Sequence, residues 1–380
     1  MKIGIEGQRL FRKKKHGMDM VALELVRNLQ EIDQQNEYFI FVKNDVNRCL
    51  EERPNFHIVV VPSAPYPIWE QFSLPIAVRK AGCQLLHCTS NTAPIFTSVP
   101  LIVTLHDIIF MESLSLLKKG FSAYQKFGNM YRRFVVPLVV KKSKQIITVS
   151  EFEKKRIGDF FHIKDEKLHA IYNGVSNHFK PIDNKEELER IKEKYKLPDK
   201  FFFFFGNTDP KKNTAGVLKA LSLFLQSSDK KIPLVMLDFD RNELDKIVAN
   251  IGDAELEHYI KLIGYVPNDE LPAVYSLSTI FLYPSLRESF GIPMLEAMAC
   301  GIPVITSNTS CMPEVGGTAA LFIDPFKPEE IADAINKLLS DHKLCEKMIV
   351  AGFENARKFS WKTMAENVLH LYQDVENSKC

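Results

Sequence analysis

A chain of 380 residues, 46% of them apolar and 25% charged, is too long for a single hydrophobic core and too apolar for disorder, so two globular domains are expected. Its net charge of +2 hides an asymmetry: residues 1–180 carry 26 Lys and Arg against 17 Asp and Glu, the remainder 23 against 30, which directs any anionic partner, such as a membrane or a phosphorylated acceptor, to the first half. The seven cysteines form no CxxC pair and no zinc spacing, which argues against a disulfide framework, and no apolar run approaches the roughly 18 residues of a spanning helix.

The N-terminus reads directly as a strand over 2–6, with no signal peptide, and with the unpaired cysteines this suggests a reduced, cytoplasmic protein. Gly7 ends the strand, and a basic loop follows with Arg9, Arg12, Lys13, Lys14, Lys15 and Gly17. Apolar residues at 18, 21, 22, 25, 26 and 29 have helical spacing. Strand, loop and helix open a doubly wound α/β domain. Further strands are predicted over 38–42, 57–61, 85–88, 101–104 and 145–149, with a helix over 69–80. His106 and Asp107 fall just past the strand 101–104, at the edge where open α/β sheets bind ligands. A neutral His106 could serve a sugar hydroxyl or phosphate, with Asp107 setting its tautomer, although a histidine at a strand end also fits a structural role. His87 reads as packing.

Residues 117–144 hold eight Lys and Arg, among them Arg132, Arg133, Lys141 and Lys142, and no acid. Phe121, Tyr124, Phe127, Tyr131 and Phe134 are interleaved at near-helical spacing. An amphipathic basic surface over 118–144 against anionic lipid fits this pattern, as does an aromatic stripe facing the core with the bases solvated. No nucleic-acid motif accompanies it, so nucleic acid is not an expected partner. Ser150 suits a helix N-cap. A last strand ends at the Asn173-Gly174 turn, and the polar stretch 181–200 reads as the inter-domain crossing.

The second half opens with a phenylalanine run over 201–205. Lys211, Lys212 and Asn213 follow, then a helix over 214–225. Two ammonium groups between a strand end and a helix start suit a diphosphate; adjacent loop lysines are also often merely solvated. Asp238-Phe-Asp240 resembles a metal motif too weakly for a metal to be assigned. The strand 280–283 leads to a loop, a helix over 294–300, Gly301, and a strand over 303–306. Glu288 in the loop and Glu296 in the helix have seven residues between them. Amides of Phe290 and Gly291 lie at the helix start, where N–H groups are free and the dipole is positive. Carboxylates accept from sugar hydroxyls, so an anion pocket between two acids describes a nucleotide sugar. The spacing alone equally fits a buried βαβ unit with Glu288 solvated and Glu296 on an outer helix face.

Glu288-Ser-Phe-Gly-Ile-Pro-Met-Leu-Glu296-Ala-Met-Ala-Cys-Gly301-Ile-Pro-Val resembles the Glu-x7-Glu signature of the retaining glycosyltransferases of family 4. The likeness extends through Gly206…Pro-Lys-Lys-Asn213, Leu262-Ile-Gly-Tyr-Val-Pro267, Met312-Pro-Glu-Val-Gly316 and, more loosely, the first half. It implies the GT-B fold: an N-terminal acceptor-binding Rossmann-like domain (1–180), a nucleotide-sugar-binding one (199–358) facing it across a cleft, and a C-terminal helix (359–380) crossing back. By resemblance Glu288 contacts the transferred sugar and Glu296 the ribose. The loop of Ser289, Phe290 and Gly291 holds the diphosphate together with Lys211 and Lys212. Lys211 stands where the family commonly has Arg. The backbone of Tyr265 and Val266 frames the base, His106 faces the sugar, and Gly17 matches a donor-phosphate loop without that loop's usual glycine pair. The segments around His106, Trp69-Glu70-Gln71 and Lys211 are similar to mannosyltransferases of bacterial surface polysaccharide pathways. The expectation is therefore transfer of a hexose, with GDP-mannose favoured over UDP-sugars, to a glycan or polyprenyl-diphosphate-linked saccharide, with no cofactor and no metal, in the cytoplasm or at the inner face of the plasma membrane. A UDP-sugar-dependent transferase, or a silent nucleotide-sugar-binding protein, is the alternative.

Overall fold

The apolar runs become the strands of two parallel sheets in the computed structural model, which describes all residues except 14, 16, 63, 113–122 and 379–380, and no side chains over 123–126. In the first half β1 is Lys2–Glu6, β2 Glu37–Lys43, β3 Phe56–Val61, β4 Leu85–Cys88, β5 Leu101–Thr104, β6 Gln145–Thr148 and β7 Leu168–Ala170. They order as β3-β2-β1-β4-β5-β6-β7. In the second half β8 is Phe202–Phe204, β9 Leu234–Leu237, β10 Ile260–Ile263, β11 Ile280–Tyr283, β12 Val304–Ser307 and β13 Ala320–Ile323, ordered β10-β9-β8-β11-β12-β13. The central strands β1, β4, β5, β8 and β11 are buried almost end to end, as strands covered by helices on both faces must be.

Both sheets reverse their winding once. The crevice between β1 and β4, and that between β8 and β11, lie outside strand carboxyl ends at a switch point, where α/β sheets bind ligands. Each sheet has its own core. Val103, Ile146, Val136 and Leu168 meet in the first, and Phe202, Phe204, Leu221 and Leu282 in the second.

The chain divides into two compact units, Met1–Gly174 with Trp361–Cys380, and Val175–Ser360. The stretch read as a crossing therefore belongs to the second unit. Its helix Lys185–Tyr195 is tied there by Glu270, whose carboxylate accepts from Lys194 Nζ at 2.6 Å and Tyr195 OH at 2.5 Å. The last helix, Trp361–Asn377, returns to the first unit. Tyr372, fully buried, reaches Nδ1 of His87 at 2.6 Å while Thr104 Oγ1 lies 2.8 Å from Nε2. Burial pushes His87 down to about 3, so this ring is neutral packing. The six described cysteines are free thiols, and among the described residues no helix is long and apolar enough to cross a membrane.

Candidate active site

The loop after β8 satisfies many of its own polar groups. Asp209 caps the 3₁₀ turn Pro210–Lys212 by accepting from Lys211 N at 3.1 Å, and Thr214 Oγ1 donates to the Asn207 carbonyl at 2.7 Å. Asn213 follows in the left-handed region, at φ 59°. Its side-chain amide donates to the carbonyls of Pro284 (3.1 Å) and Pro325 (2.7 Å), tying the loops after β8, β11 and β13 together. Leu286 N donates to the Lys211 carbonyl at 2.7 Å, a second tie between the first two loops.

These ties set Lys212 against Glu288. The ammonium lies 2.6 Å from Glu288 Oε1, 3.4 Å from Tyr283 OH and 5.3 Å from the centre of the Tyr283 ring. Tyr283 is buried, stacked on Phe281, and its hydroxyl is held well above its ordinary pKa by desolvation and then by Glu288. Ser310, itself at φ 53°, accepts from Glu288 N at 3.2 Å, while Arg287 donates to the Glu288 carbonyl at 3.0 Å. Lys211 points elsewhere: its ammonium lies 3.6 Å from Asp209.

Gly291, at φ 92°, begins the helix Ile292–Ala299. A Cβ there would sit 3.2 Å from Met312 in a backbone conformation L-residues avoid, so glycine is required. Phe290 is buried edge-on against Phe359. Glu296, four residues into that helix, accepts from Tyr275 OH at 3.0 Å. Its carboxyl is pushed up to about 7 by burial, against which only the Tyr275 hydrogen bond pulls. Neither the outer-face reading of Glu296 nor the solvated reading of Glu288 holds. Tyr265, exposed, and Val266, buried, follow β10, two strands from β8 on the same sheet edge.

His106 follows β5, next to β4 and one strand from the first unit's switch point. Its ring is buried, Nε2 lies 3.0 Å from the Thr89 carbonyl, and its backbone N–H donates to Asn91 Oδ1 at 2.6 Å. A carbonyl can only accept, so Nε2 bears the proton and Nδ1 is the acceptor. The tautomer is thus set by Thr89 and not, as expected, by Asp107, which instead accepts from Ile109 N at 3.1 Å. Burial lowers the pKa of His106 and keeps it neutral. Arg9 stands beside Glu6 and Asp19 with its buried Nε unpartnered. Gly17 starts the helix Gly17–Ile32 with nothing within 4 Å of a Cβ built on it, so no close approach requires glycine there.

Asp240 caps the helix Arg241–Ile251 by accepting from Glu243 N at 3.0 Å, which accounts for half of the Asp-x-Asp motif. Among the described residues no cluster of His, Cys, Asp or Glu could hold a metal. Tyr275, Tyr283 and Ser310 carry no role in the sequence reading, and Asn213 enters it only within the Pro-Lys-Lys-Asn match. The first two lie in apolar runs that read as packing, and the others act through contacts far apart in the chain.

Residues 185–355 match the family described as "Glycosyl transferases group 1", and residues 16–178 match "Glycosyltransferase Family 4". The chain belongs to this glycosyltransferase family. Escherichia coli O-antigen chain mannosyltransferase B is 32% identical over 232 residues, 61% of each chain. The serotype-specific mannosyltransferase WbdA of E. coli is 28% identical over 263 residues, 68% of this chain but 32% of that protein. The similarity thus spans less than two thirds of either relative. The family fold is also found in solved structures: sucrose-phosphate synthase from Thermosynechococcus elongatus (TM-score 0.75, 16% identity, 99% of each chain) and Anabaena HepE in complex with UDP (TM-score 0.74, 18% identity, 98% of this chain and 100% of that one).

Proposed function

We propose that this member of the family is a retaining hexosyltransferase. It takes mannose from GDP-mannose and adds it to a glycan or polyprenyl-diphosphate-linked saccharide during surface-polysaccharide synthesis. The observation that carries this reading is the 2.6 Å contact of Lys212 with Glu288 beside the glycine-started helix that bears Glu296. In the β8/β11 crevice the donor diphosphate takes Lys212 and the amides after Glu288. Glu288 accepts from the hexose hydroxyls and Glu296 from the ribose diol. Negative charge grows on the diphosphate oxygen as the glycosidic bond breaks, and an ammonium already in place lowers that barrier without reorganisation. The acceptor hydroxyl attacks from the face the diphosphate leaves, passing its proton to the departing oxygen. His106 Nδ1, a neutral acceptor, holds a sugar hydroxyl.

Mannose is favoured because the named bacterial relatives are mannosyltransferases, and UDP-sugars are the competing donors. Thermal shifts against a panel of nucleotide sugars separate them, and the anomeric configuration of the product, read by NMR, tests retention. An inverted product overturns the mechanism; a shift with UDP-sugars alone overturns the donor.

We also propose that the first unit rests on an anionic membrane. Helix Ala123–Lys142 exposes Phe127, Met130, Phe134 and Leu138, three or four residues apart, while Lys141, Lys142 and Lys144 are exposed at its end. Tyr131 instead turns inward to Glu70. Arg132 lies over the Phe110 ring and Arg133 Nε donates to the Phe110 carbonyl at 2.8 Å, so these two bases are not part of the lipid-facing charge. Lys118, Lys119 and Phe121, and the side chains of Tyr124 and Lys126, fall outside the described residues.

A further inference from the structure

A further opening in the first unit adjoins the β1/β4 switch point and shares with it the loop after β1. It encloses about 650 Å³ outside the carboxyl ends of β1, β2 and β3, within the range of small-molecule sites. Neither His106 nor Arg9 lines it. Its lining includes three aromatic residues, Tyr66, Tyr131 and Phe127. Gln8, Arg12, Lys43, Asn44 and Asp45 supply the polar part of the lining.

The two tyrosines of this lining are held by one buried carboxylate. Glu70 is 1% exposed, yet it faces four donors. Its Oε1 accepts from Tyr66 OH at 2.7 Å and Thr92 Oγ1 at 2.5 Å. Its Oε2 accepts from Tyr131 OH at 2.5 Å and Gln71 Nε2 at 3.0 Å. The two tyrosine rings meet edge to face at 5.9 Å, and the Arg9 guanidinium lies 5.4 Å from the centre of Tyr66. Glu70 and Gln71 reach these partners from a π-turn, Trp69–Ser73, wound just before Pro75. Proline has no N–H for the carbonyl four residues back, and the Leu74 N–H donates to Trp69 one residue further back. Apolar residues of similar shape would fill this interior at lower cost than a buried carboxylate, so the network serves geometry.

We infer that this cleft is a saccharide subsite for the acceptor, with Tyr66, Tyr131 and Phe127 as its ring-stacking wall and Glu70 as the positioning residue that fixes the tyrosines. A pyranose has apolar C–H faces and a rim of hydroxyls. A lining that combines aromatic rings with amide, carboxylate and cationic residues matches both. A lipid chain would leave the polar lining residues unpaired. The inference deepens the transferase reading and rests on it only for the word acceptor.

The test uses the full chain and a panel of oligosaccharides, α-mannotriose first, with binding followed by saturation-transfer NMR and calorimetry in the presence and absence of GDP. Saturable binding unaffected by GDP is expected. Phe127→Ala and Asn44→Ala, both on exposed side chains, should each weaken it about tenfold, the loss of one stacking or hydrogen-bonding partner. Glu70→Gln should raise the acceptor KM while the donor KM stays put, and Tyr131→Phe should show a smaller rise than Tyr131→Ala. A merely structural role would lower the melting temperature and depress every parameter together. No saturable binding to any member of the panel overturns the subsite, as does an acceptor KM unchanged in Phe127→Ala and Asn44→Ala. Specific binding without transfer from any donor upholds the subsite and removes the transferase reading, so the two can fail separately.

Discussion

Burial lifts the Glu296 carboxyl to about 7 from an ordinary 4.5. Between those values the folded chain holds a proton that the unfolded chain has released, so this group's contribution to stability is complete below pH 4.5 and is lost as pH rises through 7. The penalty above pH 7 is about 3 kcal/mol at most, from 1.36 kcal/mol per pKa unit. Glu296→Gln keeps a hydrogen-bond acceptor for Tyr275 and removes the charge. It should therefore unfold at higher denaturant concentration than wild type at pH 8 and nearly the same at pH 4.5. It should also bind a ribonucleotide less tightly at pH 8, since an amide is a weaker acceptor for a diol than a carboxylate. Wild-type donor affinity should rise with pH between 6 and 8 as Glu296 ionises, and a flat profile would separate Glu296 from the ribose. Lys212 and Glu288 answer a different question. Lys212→Ala removes the preorganised charge at the diphosphate and should cost turnover about 100-fold or more. Glu288→Gln should be comparably impaired, both with unfolding midpoints near wild type. Near-normal turnover in both refutes the site.

At the scale of elements, the loops after β8 and β11 were legible in part. Apolar runs closed by Gly or Pro marked β8, β11 and β12 to within a residue or two, because a strand buried on both faces must be apolar throughout. The helix start at Gly291 was legible from its Gly and Pro. The cross-ties were not: Asn213 meets carbonyls 71 and 112 residues away, and no local pattern records such partners. The inter-domain boundary was misplaced for a related reason, since the charged helix Lys185–Tyr195 looks like linker until Glu270 gathers Lys194 and Tyr195. The π-turn at Trp69–Ser73 was likewise hidden in a helical pattern that differs from it by one residue of winding. Asn213→Gly keeps the left-handed backbone and loses two hydrogen bonds, about 1–3 kcal/mol; Asn213→Ala adds about 1 kcal/mol of backbone strain. Urea unfolding should rank wild type above Gly above Ala, and Lys212-dependent turnover should fall in both, since Asn213 holds the Lys212 loop. An Ala variant as stable as Gly would mean that the φ of 59° is not strained.

At the scale of the molecule, the question is what covers the apolar side chains of the first unit. Helix Leu74–Lys80 and the turns before it expose Ile68, Phe72 and Ile76 four residues apart, and Phe96 is 76% exposed. This segment is joined to helix Ala123–Lys142, which carries the exposed Phe127, Met130, Phe134 and Leu138, by Gln71 Nε2 donating to Tyr131 OH at 2.8 Å. Lys142 reaches over the Phe96 ring at 4.4 Å, linking that residue to the same pair. Monomeric proteins seldom leave so many large apolar side chains in water without a partner. Arg79 and Lys80 close helix Leu74–Lys80, and Lys141 and Lys142 close helix Ala123–Lys142 with Lys144 just beyond; all five are exposed and basic, which fits the proposed anionic bilayer better than a second copy of the same basic surface. Each basic residue near such a surface is worth about 1 kcal/mol and is screened by salt, whereas the apolar contribution is not. The two contributions can therefore be taken apart by sedimentation with vesicles of stated anionic content. The double substitution Phe72→Glu with Phe134→Glu should abolish binding at every salt concentration. Lys141→Glu with Lys144→Glu should weaken it at low salt, by a factor that shrinks as salt is added. Binding to neutral vesicles as strong as to anionic ones, or full binding by the phenylalanine variant, would place the membrane contact elsewhere or remove it. Because Phe127 belongs to both the exposed stripe and the saccharide cleft, a lipid-anchored acceptor would reach that cleft without leaving the bilayer surface, and vesicles should then lower its KM while leaving that of a soluble oligosaccharide unchanged.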